Sequence, residues 1–377
     1  MKNYRKLGEI VKLVDERNKD EKVQTLIGVS IEKCFIKSVA NTIGTDLSNY
    51  KVLRMNTFAC NPMHVGRDER LPVSLYKKDI PAIVSPAYFM FRINNENEVL
   101  SDFLMLLFRR DDFDRNCWFR TDGSVRGGIT WNDICEIKLP IPDIKEQQKI
   151  VKTYNTITKR IQLKQKINEN LEKTAQCLFD KIYQNNESWT DGVISDLGEI
   201  VSGATPSTEI KEYFCQNGIH WLSPKDLTST GYKFISKGET DITEAGYKSC
   251  STKLMPKGTV LLTSRAPVGC LGIAENEICT NQGFKSIIPN ANIQTAYIYY
   301  FLKKEVEMLK QNASGTTFDE ISGSVLKSLK CKIPPKNIAL TFNEQCKYIF
   351  NYKRIIEKEI SKLRELNQLV ISRISGI

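Results

Sequence analysis

The segment Leu-Gly-Glu-Ile-Val occurs twice in the chain, at Leu7–Val11 and at Leu197–Val201. Further short matches follow each copy in the same order: Gly123-Ser124 with Gly315-Thr316, Lys138-Leu139-Pro140 with Lys332-Ile333-Pro334, and Glu146-Gln147 with Glu344-Gln345. One such match has little weight alone, but several in the same order at slowly drifting separations indicate an internal repeat. We therefore expect two tandem units, and 377 residues suffice for two domains of ordinary size.

The larger part of each unit, residues 1–142 and 186–342, has the pattern of a globular domain. Short apolar runs rich in β-branched and aromatic residues are broken by Gly, Pro, Asn and Asp, which predicts strands joined by turns. Each part also holds one helical candidate, Val99–Arg110 in the first and Thr295–Lys310 in the second. We therefore expect two sheet-containing domains of the α/β or α+β class.

The remaining segments, 143–185 and 343–377, are predicted to be long helices. Gly and Pro are absent from Ile144–Gln184 and from Asn343–Ser375, and apolar residues recur there every three or four positions. A stripe this narrow is typical of a coiled-coil seam, so we expect the two helices to pack on each other. The predicted seam residues are Ile150, Tyr154, Ile157, Ile161, Leu171, Ala175, Leu178 and Ile182 in the first helix and Ile349, Tyr352, Ile356, Ile360, Leu363, Leu366 and Val370 in the second.

Two polar residues, Lys164 and Asn168, interrupt the stripe of the first helix. Polar residues at seam positions can fix the register of a coiled coil or face a partner. A local slip that brings Ile167 into the seam fits the spacing equally well. The sequence leaves both possibilities open.

No motif in the chain supports catalysis. Asn61–His64 and Ser85–Tyr88 each carry half of the signature with which adenine methyltransferases hold a flipped base, but both lack its second proline. The Gly-rich turns that bind dinucleotides or nucleoside triphosphates are absent as well. The two histidines, His64 and His220, stand in different units outside any hydrolase or metal-binding pattern, so we expect ordinary polar or partly buried side chains.

The net charge of +10 favours a polyanionic partner such as duplex DNA, although the excess does not single out one segment. A ribosomal, membrane-surface or acidic-protein partner would fit the total equally well. The eleven cysteines form no CxxC pair or Cys/His cluster, and the chain has no apolar stretch long enough to span a bilayer. We therefore expect reduced, mostly buried thiols and a cytoplasmic location.

Polar and basic loops are the candidates for contacts with DNA. Arg265 follows an apolar strand, and an Arg in such a turn can donate two hydrogen bonds to guanine or bind phosphate. Other basic, amide and hydroxyl side chains stand beside Gly or Pro turns. The complete set of predicted contacts is Arg67, Arg70, Arg120 and Arg126 in the first unit and Lys225, Ser264, Arg265, Asn281, Gln282 and Lys285 in the second.

Taken together, these segments resemble the specificity (S) subunit of type I restriction-modification systems. The resemblance is carried by the two Leu-Gly-Glu-Ile-Val segments, by SGATPST, WLSPKDL, LLTSRAPVG and TNQGFKSIIPN of the second unit, and by LIGVS, SVANTIGTDLSNYKVL, IVSPAYFMF and LPIPDIKEQQKIV of the first. It covers essentially the whole chain. The second helix boundary, CKIPPKNIALTFNEQC, departs from the first one, LPIPDIKEQQ, and so leaves the start of that helix open.

The resemblance implies a pseudo-two-fold tandem repeat of two target-recognition domains separated by two long antiparallel coiled-coil helices. Each domain would read one half of a bipartite, asymmetric site in double-stranded DNA. The helices would set the spacer between the half-sites and dock two methyltransferase subunits, and restriction subunits would complete the complex. The chain itself would be non-catalytic, with AdoMet, ATP and Mg²⁺ on its partner subunits. From the residues alone a second hypothesis remains: a helical scaffold that binds DNA only non-specifically.

Overall fold

A computed structural model describes residues 4–38, 44–63, 65–121, 127–265, 267–314 and 319–374. The chain divides into two compact units. The first comprises Met1–Gln162 together with Lys362–Ile377, and the second comprises Leu163–Ser361. Both long helices thus contribute residues to each unit.

The first unit is built on a four-stranded antiparallel sheet in the order β2-β9-β6-β7, with three two-stranded pairs, β1-β10, β3-β4 and β5-β8. Its strands are β1 (Tyr4–Lys6), β2 (Val11–Leu13), β3 (Ile27–Val29), β4 (Phe35–Lys37), β5 (Lys51–Leu53), β6 (Thr57–Cys60), β7 (Val73–Tyr76), β8 (Ala82–Val84), β9 (Phe89–Ile93) and β10 (Lys138–Pro140). Its short helices are α1 (Leu7–Ile10), α2 (Val65–Asp68), α3 (Ser101–Phe108), α4 (Asp111–Phe119) and α5 (Trp131–Cys135).

The second unit holds a five-stranded sheet in the order β12-β20-β17-β18-β15 and a four-stranded sheet in the order β13-β16-β14-β19. The strands from the start of this unit are β11 (Thr190–Val193), β12 (Gly198–Ser202), β13 (Phe214–Cys215), β14 (Ile219–Leu222), β15 (Phe234–Ile235), β16 (Asp241–Ile242), β17 (Val260–Leu262), β18 (Leu271–Ala274), β19 (Cys279–Thr280), β20 (Lys285–Pro289) and β21 (Lys330–Ile333). The long helix α6 (Ile144–Tyr183) precedes them; α7 (Pro224–Thr230), α8 (Glu244–Lys248), α9 (Gln294–Lys304), α10 (Val306–Gln311) and α11 (Gly323–Ser328) lie between them, and α12 (Lys336–Arg373) follows.

The two units share one frame, as the repeat predicts. In each, the first strand pairs antiparallel with the last strand before a long helix, as β1 does with β10 and β11 with β21. The order β2-β9-β6-β7 of the first unit corresponds to β12-β20-β17-β18 of the second. Both copies of Leu-Gly-Glu-Ile-Val belong to this frame, and their leading residues, Leu7 and Leu197, are fully buried because each enters its unit's core.

A buried helix lies against the main sheet in each unit. Helix α3 is apolar on nearly every side, which is typical of a helix surrounded by core. In the second unit the predicted helix Thr295–Lys310 is divided into α9 and α10, because Glu305 leaves the helical conformation. The Glu305 carboxylate accepts a hydrogen bond from the Tyr183 hydroxyl at 3.1 Å. All eleven cysteines are free thiols, four of them buried and two exposed, so fewer are buried than we expected.

Within each unit, the segments of α6 and α12 that contact each other run antiparallel. In the second unit Asn168 pairs with Glu357 and, further along α6, Phe179 packs on Phe342. In the first unit the Asn367 amide donates to the Thr158 hydroxyl at 3.0 Å. The predicted seam residues Ile150, Ala175, Ile356 and Ile360 are buried, and Tyr154, Ile157, Ile161, Leu171, Leu178, Ile182, Ile349, Leu363 and Val370 are partly buried.

Three details of the long helices differ from the sequence predictions or complete them. Tyr352 and Leu366 are about half exposed, so their assignment to the seam is wrong; buried Lys353 and partly buried Asn367, one position along, face inward instead. Ile167 is also exposed, so the first seam keeps its polar residues and does not slip. Helix α12 begins at Lys336, before the predicted boundary at 343, because Pro335 starts the helix and Ala339 and Phe342 already continue its buried stripe.

Candidate nucleic-acid interface

One edge of the five-stranded sheet gathers the loops that carry the second unit's candidate residues. Strand β12 ends at Ser202, which pairs with Lys285 at the start of β20. The chain leaving β17 continues beside the start of β20, where Thr263 bridges to Phe284. Antiparallel pairing thus brings the end of two strands and the beginning of a third to the same edge, and their loops meet there.

Glycine permits the closest contact among these loops. A Cβ atom on Gly203 would lie 2.0 Å from the carbonyl oxygen of Asn281, so a larger residue could not occupy this position. The neighbouring Thr205 hydroxyl donates a hydrogen bond to the side chain of Gln282, and the Trp221 indole donates to the carbonyl of Ala204 at 3.0 Å. The segment that follows β12 is therefore held against the loop before β20.

An acidic side chain lies between the two basic residues of this edge. Glu320 lies 3.7 Å from the Arg265 guanidinium and 3.6 Å from the Lys285 ammonium. Lys285 is largely buried, and its ammonium also donates to the carbonyl of Gln282 at 3.3 Å. About a third of the Arg265 side chain remains exposed. The loop therefore presents a fixed guanidinium whose donors are available to a base edge or to a phosphate.

Ser264 is placed differently from the expectation for a DNA contact. Its side chain is fully buried, with an unpartnered hydroxyl oxygen. Its backbone amide donates to the carbonyl of Gly283 at 2.8 Å, and its carbonyl accepts from the amide of Ile321 at 3.0 Å. A side chain at this depth cannot touch DNA without a rearrangement. Ser264 therefore positions Arg265 and is corrected from a contact residue to a supporting one.

The start of α7, which carries Lys225, adjoins the same edge. Ser223 and Asp226 cap the start of α7, with the Ser223 amide donating to the Asp226 carboxylate at 2.8 Å. Pro224 packs on Gly283, where an added Cβ would approach its ring within 2.9 Å. Lys225 itself is largely exposed and forms a surface ion pair with Glu239 at 3.2 Å.

The first unit presents the loop that corresponds to the one carrying Arg265. This loop follows β6 and includes α2, whose Arg67 is exposed and paired with Asp68 at 2.7 Å. The Gly66 amide donates to the carbonyl of Gly127 at 2.9 Å, so the segment starting at residue 127 lies against this loop. Arg126, predicted to contact DNA, lies outside the described residues, as does His64.

Arg70 and Arg120 follow shortly after α2 and α4, respectively. Arg70 is half exposed and forms an ion pair with Glu32 at 3.2 Å. Arg120 follows directly after α4, and its Nε atom is buried without a hydrogen-bond partner. Helices α2 and α4 contact each other, so Arg67 on α2 and Arg120 just after α4 stand on neighbouring segments.

A buried ion pair that the sequence did not reveal anchors this region. The Lys33 ammonium lies 2.7 Å from the Asp114 carboxylate, and burial lowers the pKa of Lys33 although Asp114 opposes the shift. The same carboxylate accepts the backbone amide of Leu71 at 3.1 Å. Asp114 therefore ties α4 to two loops of the first unit. Its only sequence signal is an acidic residue between Phe113 and Cys117 on the inward face of a helix.

A second buried network, also missed from the sequence, joins both long helices to the second unit. Glu172 of α6 lies 2.5 Å from the Lys233 ammonium and 3.3 Å from that of Lys353 on α12. Lys303 adds a third cation at 2.6 Å. Burial alone would raise the pKa of Glu172, but Lys233 and Lys303 outweigh it and lower this pKa to about 2. We call Glu172, Lys233, Lys303 and Lys353 the lysine clasp.

Aromatic rings and backbone amides complete the surroundings of the lysine clasp. The Lys233 ammonium donates to the Tyr300 hydroxyl at 2.7 Å and lies 4.1 Å from the centre of the Tyr299 ring. Burial lowers the pKa of Lys233 to about 7, although the negative charge of Glu172 acts to raise this pKa. Glu357 of α12 accepts the backbone amides of Lys233 and Phe234, both at 3.2 Å. These contacts fix β15 to the helices.

The described part of the chain holds no cluster of side chains suited to a metal ion. No group of three or more His, Cys, Asp or Glu side chains there could hold a metal ion. His220 is partly buried and lies 3.1 Å from the Asp241 carboxylate. No helix in the described ranges is long and apolar enough to cross a membrane.

Known proteins of one family resemble this chain in sequence. A specificity subunit of the type I restriction enzyme MjaIX from Methanocaldococcus jannaschii is 47% identical over 150 residues, which cover 39% of this chain and 34% of that protein. The HindI specificity subunit from Haemophilus influenzae is 23% identical over 377 aligned positions, covering 78% of this chain and 81% of that protein. The MjaIX match therefore spans about a third of that relative's own length.

The fold and the family model agree with these relatives. The crystal structure of a type I restriction-modification S subunit from M. genitalium matches with a TM-score of 0.61 at 14% identity, covering 99% of this chain and 95% of that one, so the fold is shared. The model described as the type I restriction modification DNA specificity domain matches residues 73–173 and 186–368. These two matches cover well over half of the chain and one falls in each half, so the chain belongs to the family of type I restriction-modification DNA specificity domains.

Proposed function

We propose that this chain is the non-catalytic DNA-reading subunit of a type I restriction-modification complex, in which each unit reads one half of a bipartite, asymmetric site. One observation carries the proposal. Both units bring basic side chains that are at least partly exposed to corresponding sheet edges, Arg67 in the loop after β6 and Arg265 in the loop after β17. The variable loops stand on a repeated frame, so the two edges can differ in base preference while keeping the same construction.

The partners follow from the family and from the missing catalytic motifs. The chain assembles with two methyltransferase subunits, which the long helices dock, and with restriction subunits. AdoMet, ATP and Mg²⁺ belong to those subunits, and the complex acts in the cytoplasm. The paired helices set the number of base pairs between the half-sites, since a helix has a fixed rise per residue.

Competition for DNA tests this function. The chain is combined with its modification subunits and a labelled duplex that carries the bipartite motif found by methylome sequencing of the host. Unlabelled duplex with the motif should compete at least 1,000-fold better than random duplex, roughly the margin typical of specific DNA readers. Equal competition by every duplex would instead identify a scaffold that binds DNA non-specifically. Deletion of the gene should also remove methylation of one bipartite adenine motif.

Replacement of Arg265 should weaken one half-site selectively. For Arg265→Ala we expect roughly 10- to 100-fold weaker binding of the specific duplex, because a guanidinium that contacts a base edge contributes about 1–3 kcal/mol. The preference should relax at one base pair of the half-site read by the second unit. Arg265→Lys separates two roles, since lysine keeps the charge but loses the two-pronged donor geometry.

Lys332→Ala is the matched control for Arg265→Ala. Lys332 is similarly exposed, carries the same charge and belongs to the same unit, but it pairs with Asp191 on the β11-β21 pair. Its removal should change specific binding less than threefold. Equal losses in the two variants would mean that Arg265 contributes only charge, which excludes direct base reading by this residue.

A further inference from the structure

Helix α4 ends in two aromatic side chains that remain in solvent. Trp118 is 44% exposed and Phe119 is 83% exposed, and no large hydrophobic side chain in the described part of the chain is more exposed than Phe119. An exposed phenyl ring leaves apolar area in contact with water. Burying that area is favourable by about 25 cal/mol per Å². Such a ring next to a candidate binding edge therefore suggests a contact made with a partner.

The orientation of α4 explains why these rings cannot turn inward. Phe113, Asp114 and Cys117 face the core, as expected for residues three or four positions apart on one helix face. Asp114 is held by the ammonium of Lys33, which locks the rotation of the helix about its axis. Phe119 stands two positions beyond Cys117 and therefore projects away from the core.

The aromatic pair lies at the edge where the first unit presents its candidate DNA contacts. Helix α4 packs against α2, the short helix in the loop that leaves β6. The loop that leaves β6 carries Arg67, and Arg120 directly follows Phe119. An apolar side chain next to a loop that carries an exposed arginine is complementary to DNA, which offers stacked bases between rows of phosphates.

The surroundings of Phe119 fit DNA better than a protein partner. The other outward residues of α4 are polar or charged, whereas the centre of a protein interface is depleted of charge and surrounded by further apolar contacts. Arg115 and Asn116 lie within one turn of Phe119, and the carboxylates of Asp111 and Asp112 lie about two turns away at the start of the helix. The second unit has no counterpart, because α10 ends in Lys310 and Gln311. Any role of the aromatic pair is therefore confined to the first unit.

We infer that Phe119, supported by Trp118, enters between two adjacent base pairs of the half-site read by the first unit and unstacks them. This inference rests on the proposed DNA-reading function and deepens it. Inserted apolar side chains kink the duplex at the step they enter, and the energy of deforming that step depends on its sequence. Phe119 thereby adds a preference for an easily unstacked step at a position where no hydrogen bond reads a base.

The probe is a duplex carrying the host's methylated motif with 2-aminopurine, which brightens when unstacked, placed in turn at each position of both half-sites. The full chain is assembled with its modification subunits. With the natural chain, fluorescence should rise at one step of a single half-site, beyond any rise caused by the methyltransferase at its target adenine. Phe119→Ala should remove that signal and weaken specific binding about tenfold, while Phe119→Leu should retain part of both.

Ile80→Ala is the control, because Ile80 is 76% exposed in the same unit but follows β7 at the opposite end of the sheet from Cys60. It should leave both readouts unchanged. If Phe119→Ala keeps both the specific binding and the fluorescent step, the inference is overturned and the proposed function stays intact. Loss of the modification subunits from that variant would identify a protein contact and overturn it too. A natural chain that does not distinguish motif from random duplex would refute the proposed function itself.

Discussion

Removal of residues 159–165 from α6 and 359–365 from α12 is expected to change the recognised DNA site to one whose half-sites lie about three base pairs closer. Seven residues correspond to roughly 10 Å of helix at 1.5 Å per residue, and stacked base pairs are about 3.4 Å apart. A seven-residue deletion also keeps the helix phase to within about 20°. Methylation of the original motif should be lost and a motif with a shorter spacer should replace it.

The two deleted segments face each other, which keeps the remaining pairs in register. Deleting both segments removes the ion pair between Lys164 and Glu359 and leaves the hydrogen bond between Asn168 and Glu357. The hydrogen bond between Asn367 and Thr158 also stays. Deleting either segment alone would misalign these pairs, so both helices have to change together.

Methylome sequencing of cells that carry only the altered chain measures the outcome. Duplicating the same two segments is the matched control and should lengthen the spacer by about three base pairs. The half-site sequences themselves should stay the same in both variants, because the loops that read them are untouched. If both variants methylate the original motif, the helices do not set the spacing and that part of the proposal is wrong.

The frame of this fold could be predicted from the sequence because repetition and periodicity depend on many residues at once. Four short matches located the two units, and the spacing of apolar residues located both long helices. Individual positions were harder. Tyr352 continues the period as well as any neighbour does, yet it is about half exposed, because the seam at that point is formed by Lys353 and its acidic partner.

The candidate interface could be predicted only in part, since burial is decided by the partners of a side chain. Arg265 and Gln282 lie on adjoining loops, which their separate turn patterns did not predict, and the Ser264 hydroxyl is enclosed by strands that are distant in sequence. Phe119 follows an apolar pattern that would equally suit a core residue. The inward packing of Phe113, Asp114 and Cys117 turns this ring toward solvent.

The lysine clasp supports the prediction with the largest effect on stability. We expect Glu172→Gln to lower the free energy of unfolding by about 3–5 kcal/mol, because it leaves buried lysines without their carboxylate. Lys233 and Lys353 are both almost completely enclosed, and each has its ion pair with Glu172. Urea unfolding of the full chain at neutral pH, followed by circular dichroism, measures the change.

Asp180→Asn provides the matched control on the same helix. Asp180 pairs with Lys304 at 2.8 Å, but both side chains are 37% exposed, and ion pairs in solvent contribute about 0–1 kcal/mol. The two variants make the same chemical change, a carboxylate to an amide, at different depths. Equal destabilisation by both would mean that the lysine clasp adds no more than a surface pair does.

The pH dependence provides a second, independent test of the same carboxylate. The pKa of Glu172 is lowered from its ordinary 4.5 to about 2 in the folded chain. As the pH falls, Glu172 therefore takes up a proton at a higher pH in the unfolded chain than in the folded chain. Its contribution to stability is therefore complete above about pH 4.5 and is lost as the pH falls toward 2. The stability difference between the natural chain and Glu172→Gln should therefore shrink as the pH falls from about 4.5 toward 2. A difference that instead grew on acidification would show that Glu172 is protonated in the folded chain, and the lysine clasp would then hold the two helices by packing and not by charge.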